Sequence, residues 1–204
     1  ARGRGDLITG LVSPWDLAMR EASEKAFLEA GEHLTGKRFF GGFSFCHPET
    51  GSTGLAFIEP EPVSPGADPG HWLYVRRMLI GEKVRNLVPP HLPFLRVVVN
   101  SDHLQVNAAR EGLHGEENRL EGIHTEVAAA LDRYLEHLAR TEPLRAAEFV
   151  RAQDENLLRA ADENGQFLGL LRLFYPLDST LGSITLDEVL GRHRKIEYLR
   201  DEAE

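Results

Sequence analysis

The residues with the most chemical promise lie in Leu104-Gln105-Val106-Asn107-Ala108-Ala109-Arg110-Glu111-Gly112-Leu113-His114, a polar stretch between an apolar strand-like run and a long helical pattern. Strand-to-helix loops are where α/β layouts place working residues. Arg110 is the candidate within it, because a guanidinium is permanently charged and presents a planar fork of donors that fits a phosphate. Pattern alone favours a plain surface arginine paired with a neighbour such as Glu111 or Glu116, the commoner fate of exposed arginines.

Other constellations carry less. Ser101-Asp102-His103 holds three triad residue types in succession, but neighbouring side chains on an extended segment alternate between faces and cannot converge. Nine histidines invite a metal, yet no pair has the HExxH spacing and one cysteine cannot build a thiolate cage, so no metal site is expected. Cys46, in an apolar run, reads as a small buried hydrophobe. Neither GxxxxGK[ST] nor a GxGxxG after a strand occurs, so the chain has no phosphate cradle of its own and should not hold a nucleotide tightly alone.

These residues need a scaffold, and 204 residues are enough for one core with an appendage or for two modest units. A formal charge of −9 repels a phosphate backbone, which argues against nucleic acid. No run approaches the ~20 apolar residues of a membrane span, and a lone cysteine fits a reducing, cytoplasmic setting.

Ser13-Pro14 has the form of a helix start, Trp15 to Ala30 reads as helix, and Gly31 as its left-handed stop. Strands are expected at 39–46 and 54–58, joined through Pro48-Glu49-Thr50-Gly51-Ser52 as a hairpin. The proline-rich 59–70 segment reads as a surface loop. Trp72 to Ile80 and Phe94 to Val99 read as further strands, with a helical turn at 83–87 between them, giving a sheet of at least four strands. Leu120, Ile123, Val127, Leu131, Tyr134 and Leu138 recur every three or four residues, which predicts a helix over about 116–139 packed on that sheet. Thr141-Glu142-Pro143 marks a boundary between units at 1–140 and 141–204. Later come a dense apolar run at 167–174, a capping box at Thr185-Leu186-Asp187-Glu188 and a strand at Ile196-Glu197-Tyr198-Leu199 that lacks a neighbour in the sequence.

The chain also resembles a known family. Leu55-Ala56-Phe57-Ile58-Glu59-Pro60, then Leu73-Tyr74-Val75-Arg76-Arg77-Met78-Leu79-Ile80, then Leu87 to Ser101, and above all Leu104 to Leu113 are similar in order and spacing to the middle domain of the ninety-kilodalton heat-shock chaperones, the HtpG family, in a divergent bacterial branch. The resemblance implies an α/β (α+β) fold: a larger αβα sandwich, a helical connector and a smaller αβα unit, truncated here. It implies that the working loop at 102–114 carries Arg110 to the γ-phosphate of magnesium-bound ATP held by a separate N-terminal domain, with Asn107 bracing the loop. Unfolded client proteins, that ATP-binding domain and a C-terminal dimerisation domain are the implied partners, and the ATPase would not be active in this chain alone.

Three positions depart from the family pattern. His114 stands where a glutamine carries a water-positioning role, and Ala109 replaces a serine whose hydroxyl could hold the loop. The segment Glu61 to Gly70 lacks the aromatic and aliphatic residues that the family uses against clients. A protein-interaction or adaptor domain that kept the fold without the chemistry is the alternative; a self-sufficient small-molecule enzyme has no site to stand on.

Overall fold

The computed structural model describes residue 16 and residues 22–48, 51–67, 69–104, 117–179 and 182–192. The chain divides into two compact units, Ala1–Leu135 and Glu136–Glu204.

The helix start expected at Ser13-Pro14 lies outside the described residues, and helix α1 (Glu24–Thr35) of the first unit starts after Ser23 and does not run unbroken from Trp15. Ser23 caps it, its hydroxyl accepting the amide of Ala26 at 3.4 Å, and Gly36 ends it in the left-handed region at φ 70°. The expected stop at Gly31 is therefore five residues early. Gly31 lies inside the helix because α1 presses on the sheet there: a Cβ would sit 2.7 Å from the Phe57 ring. The residue is glycine for close approach, a need that resembles a stop signal in sequence.

Five strands form the sheet: β1 (Gly41–His47), β2 (Ser52–Ile58), β3 (His71–Val75), β4 (Met78–Val84) and β5 (Leu95–Ser101), in the spatial order β1-β2-β5-β3-β4. The hairpin β1–β2 is antiparallel, pairing Gly41 with Ile58 through His47 with Ser52, as the alternation around Pro48 to Ser52 predicts. β5 lies between β2 and β3, antiparallel to the first and parallel to the second, so it is paired on both edges. The single strand expected at 72–80 is instead two strands, β3 and β4, folded back at Arg76-Arg77 with φ of 49° and 66°. Likewise the expected helical turn at 83–87 gives way to the end of β4 at Val84.

Side chains alternate across this sheet, which separates two apolar faces. Leu55, Phe57, Tyr74 and Val98 meet Phe27, Ala30 and Phe39 on the α1 face, with the Phe39 and Phe57 rings stacked 4.8 Å apart. Burial, and next the Glu82 carboxylate, push the Tyr74 phenol above its usual 10.0. On the opposite face Phe43 stacks at 5.4 Å on Tyr134 of helix α2 (Glu117–Thr141). The predicted stripe of α2 is confirmed where it matters, for Ile123, Val127 and Leu131 are fully buried. Tyr134 also donates to Glu24 at 2.7 Å, and that carboxylate accepts the amide of Gly42, so one acid joins both helices to edge strand β1. Helix, sheet and helix make the expected larger αβα sandwich.

Cys46 corrects another expectation, for it is exposed. Alternation on β1 gives Phe43 and Phe45 the buried face and turns Cys46 to the other, near the end of an edge strand.

In the second unit, Thr141-Glu142-Pro143 does punctuate the chain: α2 ends at Thr141 and α3 (Pro143–Ala152) starts on its proline. Helices α4 (Asp154–Asn164) and α5 (Leu168–Phe174) follow, and Phe149, Val150, Leu157, Leu170 and Leu171 are buried. A two-stranded hairpin, β6 (Pro176–Ser179) and β7 (Gly182–Thr185), then leads into α6 (Leu186–Arg192). The capping box forms as expected: the Thr185 amide donates to Glu188 at 2.8 Å and the Glu188 amide to the Thr185 hydroxyl at 3.3 Å. The strand expected at Ile196 to Leu199 lies outside the described residues.

Candidate functional site: the strand end that launches the arginine loop

Asn107, Arg110 and His114 all lie outside the described residues, which stop at Leu104 and resume at Glu117. The geometry on both sides of that gap is defined.

On the upstream side, β5 ends at Ser101, fully buried, followed by Asp102 and His103 at the surface. The Ser101 hydroxyl accepts the amides of His103 and Leu104 at 3.4 and 3.3 Å, a local bend at the end of the strand. Ser101-Asp102-His103 is thus a bend at the strand end, with Asp102 and His103 both exposed, and not the extended segment that the alternation argument assumed.

Two neighbouring turns hold this strand end. The Asp102 amide donates to the carbonyl of Gly51, in the β1–β2 turn, at 3.4 Å. From the β3–β4 turn, the Arg76 amide donates to the Ser101 carbonyl at 3.1 Å and Arg76 Nε to the Asp102 carbonyl at 3.4 Å. The Arg77 amide donates to Asn100 Oδ1 at 2.7 Å, and Asn100 Nδ2 reaches Asp102 Oδ1 at 3.5 Å. Asn100 is nearly buried. Its side chain satisfies an amide that faces away from the hairpin's own bonds, which helps hold two non-glycine residues in the left-handed region.

On the downstream side, α2 is fixed close to the same sheet. A Cβ on Gly122 would lie 3.1 Å from Nε2 of His47, at the end of β1, so only a glycine lets the helix come this near without displacing the ring. Two residues on, His124 Nε2 bonds the Asn86 carbonyl at 2.9 Å. The segment between Leu104 and Glu117 therefore leaves and returns to a braced framework.

Sequence reasoning missed the Arg76-Arg77 turn and the Asn100 clamp. Hairpin turns of this hand favour Asn-Gly or Asp-Gly, so an Arg-Arg pair inside an apolar, β-branched run carries no turn signal. Among the described residues no group of three or more His, Cys, Asp or Glu could hold a metal, and no helix is long and apolar enough to cross a membrane.

With this architecture in view, comparison with known proteins is informative. Residues 70–143 match the family described as Hsp90 protein, a span that takes in β3, β4, β5, the undescribed loop and α2. Over that span the chain is similar to the Hsp90 chaperones. It is 28% identical over 192 residues to the chaperone protein HtpG of Myxococcus xanthus, covering 89% of this chain and 29% of that one. It is 34% identical over 128 residues to HtpG of Methylococcus capsulatus, covering 60% of this chain and 20% of the relative. The chain thus spans under a third of the length of these Hsp90 relatives. The middle domain of a Plasmodium falciparum heat shock protein superposes with a TM-score of 0.67 at 15% identity, over 91% of this chain and 76% of the other. That likeness shows the fold: the α/β architecture described above is that of an Hsp90 middle domain.

Proposed function

We propose that this chain acts as the middle segment of an ATP-dependent HtpG-type chaperone, in which Arg110 supplies positive charge to the γ-phosphate of magnesium-bound ATP held by another domain. The observation that carries this reading is the Hsp90 match across residues 70–143, which includes the loop. The braced ends of that loop support it, since a group that must meet a phosphate needs a rigid base. A guanidinium brought from outside the nucleotide's own domain is the arginine-finger arrangement, in which charge building on the transferred phosphoryl group is met by a fork of donors. Asn107 would brace the loop, and His114 would take the water-positioning place. Unfolded proteins are the clients in this reading, the ATP-binding and dimerisation domains of the same parent its covalent partners, and the cytoplasm its location.

The test is turnover and melting temperature of the full-length parent as wild type, Arg110→Ala, Arg110→Lys and His114→Gln. Removing a charge aimed at a transferring phosphoryl group should lower kcat on the order of 100-fold or more. Stability should move within about 0.5 kcal/mol, as for most surface substitutions. Lysine should rescue poorly, because a point charge on a flexible stem lacks the fork. Near-wild-type turnover in Arg110→Ala would favour the adaptor reading, to which Ala109 and His114 already lend some support. An unfolded Arg110→Ala would make the residue a structural ion-pair partner.

A further inference from the structure

β4 is an edge strand, bonded to β3 alone among the described strands, and its surroundings differ from the rest of the molecule. The chain carries a formal charge of −9, yet residues 76–85 hold Arg76, Arg77, Lys83 and Arg85 against only Glu82. All four cations are exposed. Among the described residues no hydrogen bond or ion pair engages the side chains of Arg77, Lys83 or Arg85. Between the two basic ends, Met78 is 64% and Leu79 47% exposed.

The backbone of this strand is oriented for pairing. Val75 opposes Met78 across the two-residue turn and Tyr74 opposes Leu79. In such a hairpin the closing pair exchanges both its hydrogen bonds, so the next pair turns its amides outward. Leu79 therefore offers its N–H and C=O to the open edge.

We infer that β4 accepts an extended peptide segment with alternating acidic and apolar side chains, added as a sixth strand beside Leu79, its acidic groups meeting Arg77, Lys83 and Arg85. This deepens the client-binding part of the proposed function by naming a surface and a chemistry. Charge selects the occupant. A second copy of the chain is disfavoured, because β4 against β4 sets basic ends against basic ends in either orientation. Lys83 at the edge also belongs to the devices that discourage self-pairing. An acidic strand turns the same cations from a barrier into an attraction.

The probe is a fluorescein-labelled octapeptide alternating Asp or Glu with Val or Ile, titrated by anisotropy against the 204-residue chain without nucleotide. Its control carries Lys at every acidic position. The acidic peptide should bind at least tenfold tighter than the control, and less tightly at 300 mM than at 50 mM salt. Leu79→Pro removes the outward amide at a position where an edge strand tolerates proline, and should weaken binding at least tenfold. Lys83→Glu should do the same by charge, and decides the matter if Leu79→Pro does not fold. Undiminished binding by a Leu79→Pro chain that melts like wild type, equal binding of the two peptides, or no binding at millimolar chain would overturn the inference. So would displacement of the bound peptide by a single-stranded oligonucleotide, or dimerisation lost in Leu79→Pro, either of which gives the edge another occupant. Because no ATPase is measured, failure here leaves the Arg110 experiment untouched.

Discussion

β5 and the β6–β7 hairpin show what a strand gains from its neighbours. β5 is paired along both edges and covered on both faces, and Leu95, Val97, Val98 and Val99 are inaccessible to solvent. Among the described residues the hairpin of the second unit pairs only with itself, with Asp178, Ser179, Gly182 and Ser183 exposed. Isolated two-stranded hairpins are marginal in water, so β6–β7 depends on the helices beside it. The exposed ion pair of Arg172 with Asp187, from α5 to α6, adds little to that. Strength of the fold is thus concentrated at the strand from which the arginine loop departs.

Hydrogen exchange offers the widest separation between the two. The amides of Val97 to Val99 should exchange only by global unfolding, on the order of 5–15 kcal/mol for a domain, while those of Leu177 and Ile184 open locally at far lower cost. Protection at Ile184 equal to that at Val98 would erase the contrast.

A smaller separation should follow from truncating side chains. Phe57→Ala removes a fully buried ring stacked on Phe39 and should cost about 3–5 kcal/mol in denaturant unfolding. Leu168→Ala, at a position 58% exposed, should stay within about 0.5 kcal/mol. Comparable losses would mean that Leu168 is covered in solution.

The finest probe is Thr185→Ala, which deletes one half of the capping box at the start of α6 and should cost about 1 kcal/mol, local to the hairpin and that helix. A loss of protection that spreads to β5 instead would show that the two regions unfold as one.

Much of this contrast was legible in the residues. The stripe on α2, the β1–β2 hairpin, the proline at the start of α3 and the capping box at Thr185 are local patterns with local physics, and each formed as its spacing predicts. The misreadings share a cause as well. Gly31 is a packing glycine, Cys46 lies on the outer alternation of an edge strand, and Arg76-Arg77 turns the chain without any residue that favours a turn. Gly31 and Arg77 were settled by neighbours distant in sequence, Phe57 and Asn100, and Cys46 by its place near the end of an edge strand.

The sequence by itself determined the amphipathic stripe of α2, the β1–β2 hairpin and the starts of α3 and α6. It did so because propensity, capping and alternation act over a few residues. Only the tertiary structure decided that β5 is central, that β4 is, among the described strands, a basic edge, and that the end of β5 is clamped by two turns. Strand order and edge exposure depend on pairing between segments tens of residues apart, and no local pattern encodes which partner a strand will find.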